Sequence, residues 1–151
     1  MLTEKNLLKK IVVYAHTRRK KKTNSKFLTD ITTCLHTITR QHPTFITNHK
    51  HIILGVQSTI RGKNLINFIR KLKLYTFPKF YSNKFINQKI CSLDKNYNLN
   101  LTIKNQTYFF EYLATSLVET YYTFNVKFIF RNKIPSEKKI FYLTQNLQLS
   151  L

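Results

Sequence analysis

The sequence predicts an α+β fold: a curved antiparallel sheet with helices packed on one face. Three observations lead there. Several stretches alternate apolar and polar residues with the period of two that a half-buried strand needs, as in Leu99, Leu101 and Ile103. Others repeat apolar residues every three or four positions, as an amphipathic helix does. The two kinds follow one another without the regular strand–helix–strand alternation of a parallel sheet. At 151 residues, 42% of them hydrophobic and 14% aromatic, the chain can enclose one core, so residues 1–151 are read as a single domain.

Residues 1–10 are expected to form a short N-terminal extension, with a helical turn from about Leu7 leading into an Ile11-Val12-Val13-Tyr14 strand. A basic loop over 16–24 follows, carrying Arg18-Arg19-Lys20-Lys21-Lys22. Ser25 is placed to cap a helix from Lys26 to about Arg40, whose Leu28, Ile31, Leu35 and Ile38 fall on one face, and Pro43 lies just beyond its end. Thr44–Thr47 and Ile52 to Ile60 read as strands joined by a polar turn at Asn48-His49-Lys50. Gly62 introduces a second helix, about Lys63 to Thr76, with Leu65, Phe68, Ile69 and Leu72 inward and Pro78 at its end. From Lys79 to Lys95 the periodicity fails and a long loop is expected. The strand at Leu99–Ile103 comes next, then one at Phe124–Phe130. Ser136 is expected to cap a final helix with Glu137 in its first turn and Ile140, Leu143 and Leu147 facing the core.

Charge is the outlying property. Lys and Arg total 26 against six acids, a net charge of +20. Such a chain repels itself, and an anionic partner relieves that repulsion. Nucleic acid is the expected partner, because neutralising phosphates releases condensed counterions. A membrane surface is the less favoured alternative: it calls for a basic amphipathic helix, whereas the cation run falls on a loop and the good apolar faces are needed for a core. No run approaches the ~18 apolar residues of a membrane span.

Catalysis finds little support. The six acids are scattered, and glycines only at 55 and 62 allow no phosphate-cradling loop. Cys34 and His36 lie two apart on a helix and point to different sides. His49 and His51 lack a carboxylate or thiol partner for a metal. Two cysteines without a CxxC spacing are expected to be reduced thiols. No enzyme activity, cofactor or metal is therefore expected. Abundant Lys, Asn, Ile, Phe and Tyr beside scarce Gly and Pro fit an AT-rich genome, as many organelles have. The start, Met1-Leu2-Thr3-Glu4-Lys5-Asn6, lacks the Arg- and Ser-rich character of a transit peptide, which favours synthesis inside the organelle or a processed chain.

The order of short motifs carries a resemblance. Gly55-Val56-Gln57-Ser58-Thr59-Ile60-Arg61-Gly62 resembles the Gly-Cys-Lys-Val-Thr-Leu-Arg-Gly of the L-five family of large-subunit ribosomal proteins. It runs ungapped into Phe68, Leu72, Pro78 and Lys79, and Asn96-Tyr97 falls at the family's Asn-Tyr. Gln106, Phe109 and Glu111 resemble its Glu-Gln-x-x-Phe-Pro-Glu, given a small insertion and Phe110 in place of proline. Upstream, Ile38 to Pro43 resembles the close of the family's preceding helix, and Asn125–Lys127 and Ser136-Glu137 fall at its C-terminal strand and helix.

That resemblance implies a structural constituent of a mitochondrial large ribosomal subunit, in the matrix. There it would bind large-subunit rRNA and 5S rRNA in the central protuberance, touch neighbouring ribosomal proteins and bridge to a small-subunit protein. A non-ribosomal organellar RNA-binding or assembly factor shares the electrostatics. Two departures stand out. The family's glycine-rich turn, where backbone approaches 5S rRNA, is replaced by His16-Thr17-Arg18-Arg19-Lys20-Lys21-Lys22, whose long side chains cannot make the same contact. The loop between Pro43 and Gly55 is short and lacks the basic glycine-containing tip that reaches tRNA, so no tRNA contact is expected. The residues expected to meet RNA are Arg18, Arg19, Lys20, Lys21, Lys22, Lys50, Arg61 and Lys63.

Overall fold

Strand β1 (Leu8–His16) is apolar enough to take the middle of a sheet, with Ile11, Val13 and Ala15 all buried. In the computed structural model, which describes residues 4–16, 25–82, 91–112 and 121–147, it lies there, preceded by a helical turn α1 (Glu4–Leu7). The other strands are β2 (Thr44–Thr47), β3 (Ile53–Ile60), β4 (Cys91–Leu93), β5 (Leu99–Ile103) and β6 (Phe124–Phe130). Their order across the sheet is β2-β3-β1-β6-β5-β4, every neighbour is antiparallel, and the sheet is not closed. The α+β fold with an open antiparallel sheet is as the sequence predicts.

Register explains the core. Ile11 stands opposite both Ile60 and Phe128, and Val13 opposite Ser58 and Val126. Leu99 and Leu101 continue these rows onto β5, and Ile103 stands opposite Phe124. All of these side chains are at most 2% exposed, while their neighbours of opposite parity are only half-buried, so the helical cover lies on one face. α2 (Ser25–Thr39) adds Ile31, Leu35 and Ile38 to the core, and α3 (Lys63–Lys71) adds Leu65, Phe68 and Ile69. Burying one such Phe or Leu contributes about 1.5–3 kcal/mol. The Thr39 hydroxyl, itself buried, is hydrogen-bonded to Ser58 Oγ at 3.1 Å and ties the end of α2 to β3.

Several expectations need correction. Pro78 does not end the second helix. A π-helical turn (Leu72–Thr76) follows α3, with the Phe77 N–H bonded to Leu72 O five residues back, and the chain continues as α4 (Phe77–Ser82). The wider turn precedes a residue that has no N–H to give, so the proline falls where a helical bond is already displaced. The expected long loop after Lys79 therefore begins as helix and ends as strand β4. The sheet also begins inside the stretch expected to be an extension, with Leu7 and Leu8 buried. Ser25 is the first residue of α2.

The final helix, α5 (Ser136–Phe141) with a π-helical turn over Tyr142–Asn146, is shifted by one residue. Pro135 takes the cap position and its carbonyl accepts from Lys139 N at 3.2 Å, so Ser136 lies inside. Ile140, expected in the core, is 37% exposed, and Lys139 is 8% exposed instead. Tyr142, Leu143 and Leu147 face the core with it, and the ammonium is satisfied by Asn96 O at 3.0 Å and lies over the Phe130 ring. A long aliphatic stem can fill an apolar site when its charged end finds an acceptor.

Lys139 thus grips the turn between β4 and β5. Asp94 organises that turn by accepting from the backbone of Asn96 and Asn98, both at 2.9 Å, and from the Asn98 side chain. Burial alone would raise its pKa, but those donors and the Lys127 ammonium outweigh burial and hold the carboxyl below the ordinary carboxylate range. A depressed folded pKa adds stability that is complete above the unfolded value and lost as pH falls through the folded one. The expected result is that wild-type protein exceeds Asp94→Asn in unfolding free energy by a constant margin above about pH 5, and that the margin shrinks in acid. Urea unfolding of both proteins from pH 7 to pH 2.5 checks this; a margin that grows in acid would reverse the assignment.

Candidate nucleic-acid interface

The face of the sheet turned away from the helices is a regular array. One row across it reads Thr44, Gln57, Tyr14, Asn125, Thr102, each a registered partner of the next. The adjacent row reads Thr59, Val12, Lys127, Asn100, Ser92. Lys10 and Ile129 extend it on the far side, and His16 extends it on the other. Strand spacing of about 4.8 Å makes each five-residue row about 19 Å wide. Amides, hydroxyls, a phenol and ammonium groups make up most of it, and Val12, Ile129 and Ile46 are the aliphatic exceptions.

These groups are held in place. Tyr14 packs edge-on against His16 with ring centroids 5.2 Å apart. Thr102 Oγ1 donates to Asn125 Oδ1 at 3.1 Å. Lys127 Nζ lies 3.5 Å from Asp94 Oδ2, the acid that borders the array. An amide and hydroxyl surface of this kind can hydrogen-bond base edges and 2′-hydroxyls, Tyr14 offers a ring for stacking, and the lysines suit phosphates.

Of the residues expected from sequence, Lys50, Arg61 and Lys63 lie beyond the two ends of β3. Lys50 is exposed in the β2–β3 turn, where Asn48 Oδ1 accepts from Lys50 N and Ile52 N at 2.9 and 3.0 Å. Arg61 and Lys63 are exposed at the opposite end of β3, either side of Gly62, which has φ 66 and caps α3. An eight-residue strand separates the two groups by about 27 Å. They are therefore not one cluster. Arg18, Arg19, Lys20, Lys21 and Lys22 lie outside the described residues; β1 ends just before them at His16, which pairs with Gly55 at the Lys50 end.

Sequence reasoning missed the sheet face itself. Lys10, Tyr14, Asn100, Asn125 and Lys127 sit within strands and belong to no cation run. For Tyr14, Asn100, Asn125 and Lys127 the signal was present as parity, since they occupy the positions left over in expected strands after the core residues are assigned. Lys10 instead fell in the stretch expected to be an extension.

The titratable groups buried beneath the helices have a different character. The Cys34 thiol is pushed up to about 11 by burial, with the nearby Glu111 adding to that and a hydrogen bond from Tyr112 opposing it. Burial and the Cys34 contacts push the Tyr112 phenol up as well. Both stay protonated at neutral pH, so the thiol is a poor nucleophile there. Glu111 is held by Lys71 at 2.6 Å. Among the described residues, no group of three or more His, Cys, Asp or Glu could hold a metal ion, and no helix is long and apolar enough to cross a membrane. No protein-family model matches the chain, and no curated protein matches it.

Proposed function

We propose that the chain is a structural RNA-binding protein of a mitochondrial large ribosomal subunit, related to the L-five family and seated on rRNA in the central protuberance. The observation that carries this reading is the sheet face that the described helices leave uncovered, polar and cationic across five strands, in a chain of net charge +20. The family motifs also fall on coherent elements: Gly55 to Gly62 spans β3 and the entry to α3, and Asn96-Tyr97 lies in the turn that Asp94 and Lys139 hold. Folded RNA is recognised by shape, by phosphate and 2′-hydroxyl contacts and by stacking of unpaired bases, and this face offers groups for each. It acts as a scaffold contact and carries out no reaction.

Sedimentation of an organellar lysate tests the reading. Expected is co-migration with the large subunit through moderate and then high salt. Release into light fractions at moderate salt would replace it with a non-ribosomal RNA-binding factor. The face itself is tested by Tyr14→Ala with Lys127→Ser, both on the uncovered side. Loss of one stacked base and one phosphate contact should weaken rRNA-fragment binding by about 10- to 100-fold, since stacking alone is worth about 1–3 kcal/mol per base. Fluorescence anisotropy at fixed salt measures it, and an unchanged affinity with intact circular dichroism would remove the sheet face from the interface.

A further inference from the structure

The outer side of α3 and its π-helical extension does not look like the sheet face. Lys63, Asn67, Arg70 and Leu74 follow one another at four-, three- and four-residue spacing, which sets them on one solvent-facing ridge, and all four are exposed. Leu74 is 60% exposed. A cavity of about 420 Å³ opens beside the ridge, lined among the described residues by Ile66, Arg70, Lys73 and Leu74. One flank carries a second apolar group: Tyr75 and Phe110 pack with tilted rings, centroids 4.5 Å apart, and both are at least 40% exposed. The one acid of that flank, Glu111, is held by Lys71. Among the described residues, neither Lys63 nor Arg70 is in an ion pair.

We propose that this ridge is a docking site for a protein partner, namely an acidic segment that places an apolar side chain beside Leu74 and Ile66 and carboxylates against Arg70 and Lys63. Charge complementarity selects an acidic occupant. The side chains select polypeptide over nucleic acid, because aliphatic Leu74 and Ile66 offer RNA neither a stacking surface nor a hydrogen bond. Aromatic and arginine side chains around a small apolar centre are the composition of protein–protein hot spots. An exposed apolar patch rimmed by charge marks such a site. The proposal places RNA on the sheet and protein on the helices, but it does not depend on the partner being ribosomal.

Its test uses the full-length chain in its native particle. A photo-crosslinking p-benzoylphenylalanine is placed at Leu74, and in a separate protein at Val12 on the sheet face. After irradiation, nuclease treatment and peptide mapping, the Leu74 probe is expected to join a polypeptide segment rich in Asp and Glu. Arg70→Glu with Lys63→Glu should cut that yield at least tenfold while circular dichroism stays unchanged. Crosslinks from Leu74 to RNA, to lipid or to nothing would overturn the proposal, and so would a protein crosslink insensitive to the charge reversal. The Val12 probe reports separately on the RNA reading, so either can fail without the other.

Discussion

Gly55→Val is expected to lower the unfolding free energy by about 2–4 kcal/mol, among the largest losses a single surface-adjacent substitution can cause. Gly55 sits in β3 between His16 of β1 and Ile46 of β2. A Cβ built there would stand 2.5 Å from Ala15 O and 3.2 Å from His16 Cα. Both are backbone atoms of the central strand, so no side-chain rotation relieves the clash. β1 or β3 has to move, and β1 also carries the pairing to β6. Gly62 provides the internal control. A Cβ there meets nothing within 4 Å, so Gly62→Ala makes no clash, and its cost is the backbone strain of φ 66 and ψ -133 alone, about 1–3 kcal/mol. Urea unfolding followed by circular dichroism, in salt enough to screen the net charge, compares them. A Gly55→Val midpoint equal to that of the wild-type protein would show that the strands separate more easily than the register implies.

The second large effect is on binding. Replacing Arg18, Arg19, Lys20, Lys21 and Lys22 with serine lowers the net charge from +20 to +15, since five cations are removed. If each meets a phosphate, the slope of log affinity against log salt should flatten by about 3.5–4.5, and affinity near 0.1 M salt should fall by about 10³- to 10⁴-fold. Lys50→Ser removes one cation from the β2–β3 turn and should flatten the slope by less than one. Titrating an rRNA fragment from 50 to 300 mM KCl measures both. An unchanged slope for the five-serine protein would make the run a solvated loop and shift the electrostatic contact to the sheet face and to Arg61.

The fold was legible because its signals are local. Leu99–Ile103 and Phe124–Phe130 alternate strictly, and α2 and α3 repeat their apolar residues at helical spacing, so both strands and both helices fall where those periods put them. What sequence could not supply depends on partners distant in the chain. β4 has three residues, too few for a period, and exists because Cys91, Ser92 and Leu93 pair with β5. Lys139 took an interior position from Ile140 because Asn96 O, forty-three residues away, satisfies its charge. Pro78 reads as a stop until the preceding turn is seen to be π-helical. The candidate site followed the same division: cation runs on loops were visible, whereas the array of Tyr14, Asn125, Lys127 and Asn100 appears only once register aligns three strands.

The strand order has a consequence for assembly of the chain itself. β1 is made well before β6, yet one of its two edges is completed only by β6, more than a hundred residues later. At about 5–20 residues per second, synthesis leaves that edge open for roughly 5–20 s. During this interval the β1 backbone has only β3 to pair with, and its β6-facing N–H and C=O groups have no strand partner. Native pairings of such long separation also make folding intrinsically slow. A nascent chain in that condition is exposed to edge-to-edge aggregation, and its own dense positive charge, repelling every identical copy nearby, is the built-in protection until the last strand arrives.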